Sequence, residues 1–114
     1  MNIIHVFKII CALGTIATGF ISLVAPRSIK GFTGLEAISS RGITEIRAVM
    51  GGLFIGLGLA PFILASPAVY QALGIMYLSI AIVRTVSMFL DKSLVQSNII
   101  SLIVEIVFGV ILEL

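Results

Sequence analysis

Tryptophan is absent from this chain of 114 residues, cysteine and histidine each occur once, and only 11% of residues are charged. Each scarcity excludes something. The single Cys11 cannot close an intramolecular disulfide, and with one histidine, His5, there is no paired-ligand spacing, so no metal site is expected. Soluble domains carry about 25% charged residues, which places this chain outside that class. Seven Lys and Arg stand against five Asp and Glu, scattered with no basic run that could follow a phosphate backbone, so nucleic acid is excluded as a partner. No G-x-S-x-G elbow, phosphate loop or other catalytic motif is present. Catalytic residues and cofactors therefore stay unassigned, and the sequence leans away from an enzyme.

What the chain does have is apolar surface. Hydrophobic residues make up 60% of it and mean hydropathy is +1.27. A hydrocarbon core of about 30 Å needs about 20 helical residues. Four stretches of that length occur, at 3–25, 43–65, 67–90 and 94–114. The expectation is one all-α domain over residues 1–114, an integral membrane four-helix bundle with short loops. Pro26 stops the first stretch, because its ring disfavours helix in the preceding residue. Ser66-Pro67 reads as an N-cap followed by proline at the first helical position. Ser93 and Gln96 have the spacing of a capping box for the fourth helix. Pro61 should kink the second span or end its regular part near Ala60. The first span exceeds the usual signal-peptide core of about 7–15 residues and lacks a small-residue cleavage pattern, so it reads as a retained span.

Arg27, Lys30, Arg41 and Lys92 fall in the two loops on one side, whereas the opposite side has Lys8 and the N-terminal amine. Positive loops favour the cytoplasm, which puts both termini outside it, in a bacterial inner membrane. In the loop of residues 26–42, Ile29, Phe32, Leu35 and Ile38 recur every third residue between charges, the pattern of an interfacial segment in contact with the lipid bilayer. Gly31 and Gly34 argue against one continuous helix there.

Helices in lipid associate through close backbone approach and polar contacts. Ala48, Gly52, Gly56 and Ala60, continuing Thr44, form a four-residue repeat of small side chains on the second span, and Cys11, Thr15 and Gly19 form another on the first. Packing within one bundle is the ordinary reading of such ridges; a homo-oligomer seam is the sharper one.

Four charges lie inside the spans. Counted inward from 43, 90 and 94, Glu45 is about 3 Å deep, Arg47 about 6 Å, Arg84 about 9 Å and Glu105 about 16 Å. Tyr70, Tyr77, Arg84 and Asp91 follow one stripe at intervals of seven, and Asn98, Ser101 and Glu105 another. The expectation is one cluster of Glu45, Arg47, Arg84 and Glu105 facing the cytoplasmic side. Glu45 and Arg47 also have plain explanations, the first as a carboxylate in a helix first turn and the second as a snorkelling side chain. His5 and Lys8 have the pattern of an interfacial pair.

The run Glu45-Ile46-Arg47-Ala48-Val49-Met50-Gly51-Gly52, the turn Phe32-Thr33-Gly34, Arg84 late in the third helix and Glu105 in the fourth resemble the signature of the DUF4345-like family of small bacterial four-helix membrane proteins. The resemblance spans nearly the whole chain. It implies the fold and the choice of residues and supplies no activity. Two functional readings stand at this point: a site for a small polar molecule or lipid headgroup, and a structural or accessory subunit of a larger membrane complex. A small multidrug-type transporter has the same size, yet depends on a carboxylate in its first helix, which this chain lacks.

Overall fold

The computed structural model describes residues 2–114. Every regular element among them is helical. Four helices are long and apolar enough to cross a membrane: Ile3–Val24, Ser40–Leu64, Pro67–Leu90 and Gln96–Glu113, here the first to fourth spans. These are the segments expected from hydropathy, with altered ends. The second span starts three residues before 43, where the Ser39 side chain accepts a hydrogen bond from the Gly42 amide. The fourth starts at Gln96, two residues after 94, with Val95 at its cap position and no side-chain cap. Ser93 acts differently from the capping box expected of it: its carbonyl accepts from Asn98 Nδ2 at 2.8 Å. Ser66 does cap the third span, accepting from Ala68 N, with Pro67 in the first turn. Pro61 is accommodated within the last helical stretch of the second span, Phe54–Leu64, which closes on Ala65 in a left-handed conformation.

The chain folds as two units. One is Ala12–Ala65, containing most of the first span, the connecting segment and the second span. Two hydroxyls in the first span are satisfied along their own helix: Thr18 Oγ1 donates to the Gly14 carbonyl at 2.9 Å and Ser22 Oγ to the Thr18 carbonyl at 3.0 Å. That arrangement removes the cost of a hydroxyl without water. The connecting segment is a short 3₁₀ turn, Pro26–Ile29, then one helical turn, Lys30–Thr33, ended by Gly34 at φ +76. Gly34 therefore occupies a left-handed position that glycine takes without steric cost. Of the four apolar residues spaced by three, Ile29 is buried, while Phe32, Leu35 and Ile38 are exposed.

In this unit the two spans approach through Gly19, Gly51, Ile55 and Gly58. A Cβ at Gly19 would lie 2.7 Å from the Gly51 carbonyl oxygen and 2.8 Å from Ile55 N, and one at Gly58 2.8 Å from the Ala12 carbonyl oxygen. The expected ridge lies elsewhere: Ala48, Gly52 and Gly56 are exposed, Ala60 is half-buried, and nothing comes within 4 Å of a Cβ at Gly56. The reason is angular. In the α-helical part, Phe54–Leu64, a step of four residues overshoots a full turn by about 40°, so a strict repeat of four does not hold one face there. The 51, 55, 58 pattern alternates four and three and stays on one face. The backbone is also irregular here, since Ile46–Leu53 is a π-helical stretch of 8 residues.

The second unit contains the third and fourth spans with the start of the first, up to Cys11. The third and fourth spans form an antiparallel hairpin. Leu78 packs on Gly109, Leu112 on Gly74, and the Tyr77 and Phe108 rings meet edge to face at 5.4 Å. His5 meets Tyr70 in the same way, with ring centroids 5.8 Å apart. The Tyr77 and Arg84 positions of the predicted stripe both face the fourth span. Ile82, Val83, Phe89 and Leu90 point outward from the third span, as lipid-facing side chains do.

Candidate functional site

Arg84 and Glu105 meet across the third and fourth spans. Arg84 Nε donates to Glu105 Oε1 at 2.8 Å and, more weakly, to Oε2 at 3.1 Å. Arg84 Nη2 donates to Oε2 at 2.7 Å. This two-nitrogen approach to a carboxylate matches the planar fork of a guanidinium. Arg84 Nη1 donates to Asn98 Oδ1 at 2.9 Å, and Asn98 Nδ2 in turn donates to the Ser93 carbonyl. A chain of hydrogen bonds thus runs from the fourth span to the turn before it. Among the described residues no buried side-chain nitrogen or oxygen lacks a partner.

The pair closes a gap in depth that the sequence leaves open. Arg84 lies six residues before the end of the third span, about 9 Å along its axis, and Glu105 nine residues into the fourth, about 14 Å. Cα–Cβ bonds tilt toward the N-terminus of their own helix. In an antiparallel hairpin this sends Glu105 back toward the turn and the level of Arg84, and the long guanidinium stem spans the rest, reaching Asn98 as well. Glu105 keeps only 10% of its side chain exposed and Arg84 29%. An ion pair so enclosed persists because removing either member strands the other.

Of the five N–H donors on a guanidinium, one each on Nε, Nη1 and Nη2 is committed to these partners. Two remain. They belong to a side chain lining a groove of about 520 Å³, with Ser79, Ser87, Asp91, Ser93 and Asn98 at its other polar positions and Ile80, Val83 and Met88 at its apolar ones. The spacing of 80, 84, 87 and 91 is itself a helical face, so this lining was available to periodicity. It escaped notice because Ser87 carries no charge.

Glu45 and Arg47 belong to the other unit. Glu45 pairs with Arg41, one turn earlier on its own helix, and both are largely exposed; Arg47 is exposed as well. Of the four charges expected to form one cluster, the structure brings together Arg84 and Glu105 and gives Glu45 a local partner. Lys30 pairs with Glu36 at 3.2 Å within the connecting segment.

The sequence model of the family described as Domain of unknown function (DUF4345) matches residues 3–114. The chain belongs to the DUF4345 family. No curated protein and no solved structure matches it. Within this family member the E-I-R-A-x-x-G-G run coincides with the irregular part of the second span: Glu45 ends the preceding α-helical stretch, and Arg47, Ala48, Gly51 and Gly52 lie in the π-helical one. Gly51 is the member of that run pressed against the first span, where a Cβ would lie 3.2 Å from Leu23 Cα. Its second glycine, Gly52, is exposed.

Proposed function

We propose that this protein, in a bacterial inner membrane, holds the polar head of a membrane amphiphile in the groove beside Arg84, on the cytoplasmic side with both termini opposite. The observation that carries this reading is a guanidinium fixed by Glu105 and Asn98 with two donors left over, lining a groove whose charged groups, Arg84 and Asp91, lie on the turn side of the apolar Ile80 and Val83. A pre-organised donor costs little to order when its acceptor arrives. The apolar positions Ile80 and Val83 suit an acyl chain, and the groove lies along a helix that lipid would surround.

Ser87→Phe tests this. Ser87 is half-buried and lines the groove outside the ion pair, so a phenyl ring there fills the groove and leaves Arg84 and Glu105 joined. Native mass spectrometry of gently solubilised wild-type protein should show a bound amphiphile in about 1:1 ratio, and the variant should lose about tenfold in retention or more. Equal retention by the two proteins overturns the reading.

A second reading, an accessory subunit of a larger membrane assembly or a homo-oligomer, is favoured by one feature. Only 17% of the most apolar window of the second span is buried, and Gly52 and Gly56 lie on its exposed surface. Small exposed residues of this kind permit close approach of another helix. Association of further polypeptide with the solubilised protein would support it, and a stable isolated monomer would count against it.

A further inference from the structure

The groove differs in chemistry along its length, and the order of its groups specifies a class of ligand. This inference rests on the headgroup reading above and deepens it. Along the third span Ser79, Ile80 and Val83 come first, then Arg84, then Ser87 and Met88, and finally Asp91 beside the turn, so both charged side chains lie on the turn side of Ile80 and Val83. Arg84 and Asp91 are seven residues apart, about 10 Å along the axis. The guanidinium narrows that interval, since Nη1 reaches Asn98 in the first turn of the fourth span.

Charge decides what fits. Arg84 is already compensated by Glu105, whereas Asp91 takes part in none of the ion pairs among the described residues. Lys92, the next residue, is not part of the groove lining. The formal sum of Arg84, Glu105 and Asp91 is thus one negative charge. A purely anionic head would place a second negative charge near Asp91. A purely cationic one would leave the two remaining Arg84 donors unanswered. Asp91 also sits at the C-terminal cap of the third span, where the helix dipole disfavours a carboxylate and favours a cation. The sign that is wrong for the helix is right for an ammonium ligand.

We infer that the groove is built for a zwitterionic aminophospholipid, with acyl chains along Ile80 and Val83, phosphate on the two remaining N–H donors of Arg84, and a primary ammonium on Asp91. The order apolar, anion, cation along the groove is the order of those groups in the lipid. A primary ammonium donates hydrogen bonds to Asp91 and to the Ser87 and Ser93 hydroxyls; a trimethylammonium has no proton to give. The site therefore separates ethanolamine from choline heads, as well as zwitterions from anions.

The experiment is a lipid titration of the full chain read by native mass spectrometry, with phosphatidylethanolamine, phosphatidylcholine and phosphatidylglycerol of identical acyl composition as probes. Phosphatidylethanolamine should bind about tenfold more tightly than either competitor. Asp91→Asn, at an exposed position outside the ion pair, removes the charge that both cationic heads face and should weaken phosphatidylethanolamine more than phosphatidylcholine, closing most of the margin, because only the primary ammonium loses a charge-assisted hydrogen bond. Equal binding of the two zwitterions, a preference for phosphatidylglycerol, or a margin that survives Asp91→Asn overturns the aminolipid inference while leaving the groove in place. Identical retention of all three lipids by wild type and Ser87→Phe overturns the groove reading and this inference with it.

Discussion

Arg84→Ala should destabilise the protein by about 3–5 kcal/mol, the range for breaking a buried pair by removing one member. The substitution deletes both nitrogens that hold Glu105 and leaves its carboxylate with 10% of the side chain exposed. It also removes the donor to Asn98 Oδ1. Repulsion is not the source of the loss; the cost is a charge with neither water nor partner. Replacing both members, as in Arg84→Leu with Glu105→Leu, should recover most of that stability, because two apolar side chains in an apolar setting strand nothing. Unfolding in mixed detergent, followed by circular dichroism, measures all three proteins, and a double-mutant cycle isolates the coupling. Arg47→Ala, at an exposed position, should stay within about 0.5 kcal/mol of wild type. A single Arg84→Ala variant as stable as wild type, or a double variant no better than the single, removes the pair as a structural element. Because this variant loses stability as well as any ligand, the groove itself is tested by Ser87→Phe and Asp91→Asn.

The ease with which the spans and this pair could be read from the sequence has one cause. Transfer out of lipid is so unfavourable for long apolar runs, and burial so unfavourable for lone charges, that hydropathy locates the first and helical spacing aligns the second. Arg84, on one stripe with Tyr77, and Asn98 and Glu105, seven residues apart on another, needed only an antiparallel hairpin to meet, and the sequence has room for nothing else between Leu90 and Gln96. Weaker preferences were not legible in the same way. Glu45 had a partner one turn away in Arg41, a local pairing that competes with any distant cluster. Ser93 was spaced as a cap, yet Asn98 took its carbonyl instead, a choice between two hydrogen bonds of similar worth. The contact face of the second span turned on the rotation between two neighbouring residues of the π-helical stretch, the difference between Gly51 and Gly52. Adjacent glycines carry no side-chain pattern to decide between them.

That last distinction predicts opposite effects from one chemical change. Gly19→Ala should cost about 1–3 kcal/mol, the range for inserting a carbon into a packed contact. Its new Cβ would meet the Gly51 carbonyl oxygen at 2.7 Å and Ile55 N at 2.8 Å, both backbone atoms, so relief requires the first and second spans to separate. Gly58→Ala should be destabilising as well, although part of its conflict, at 2.5 Å, is with Ile16 Cγ1, which can rotate, and part with the fixed Ala12 carbonyl oxygen at 2.8 Å. Gly56→Ala has nothing within 4 Å of the added carbon. It should therefore be neutral or gain up to about 1 kcal/mol, since alanine restricts the unfolded backbone and favours helix. Separation of the spans would propagate along their contact, where Gly51 also touches Leu23, so Gly19→Ala should weaken more than one turn. The comparison is made by unfolding in mixed detergent on the isolated protein. If Gly56→Ala is the damaging substitution and Gly19→Ala is silent, the approach of these two spans runs along the exposed four-residue ridge, and the face through Gly51, Ile55 and Gly58 is wrong. If Gly56→Ala leaves the monomer stable and abolishes association of copies, the same residue marks a seam between chains, which the small-residue surface of the second span is shaped to allow.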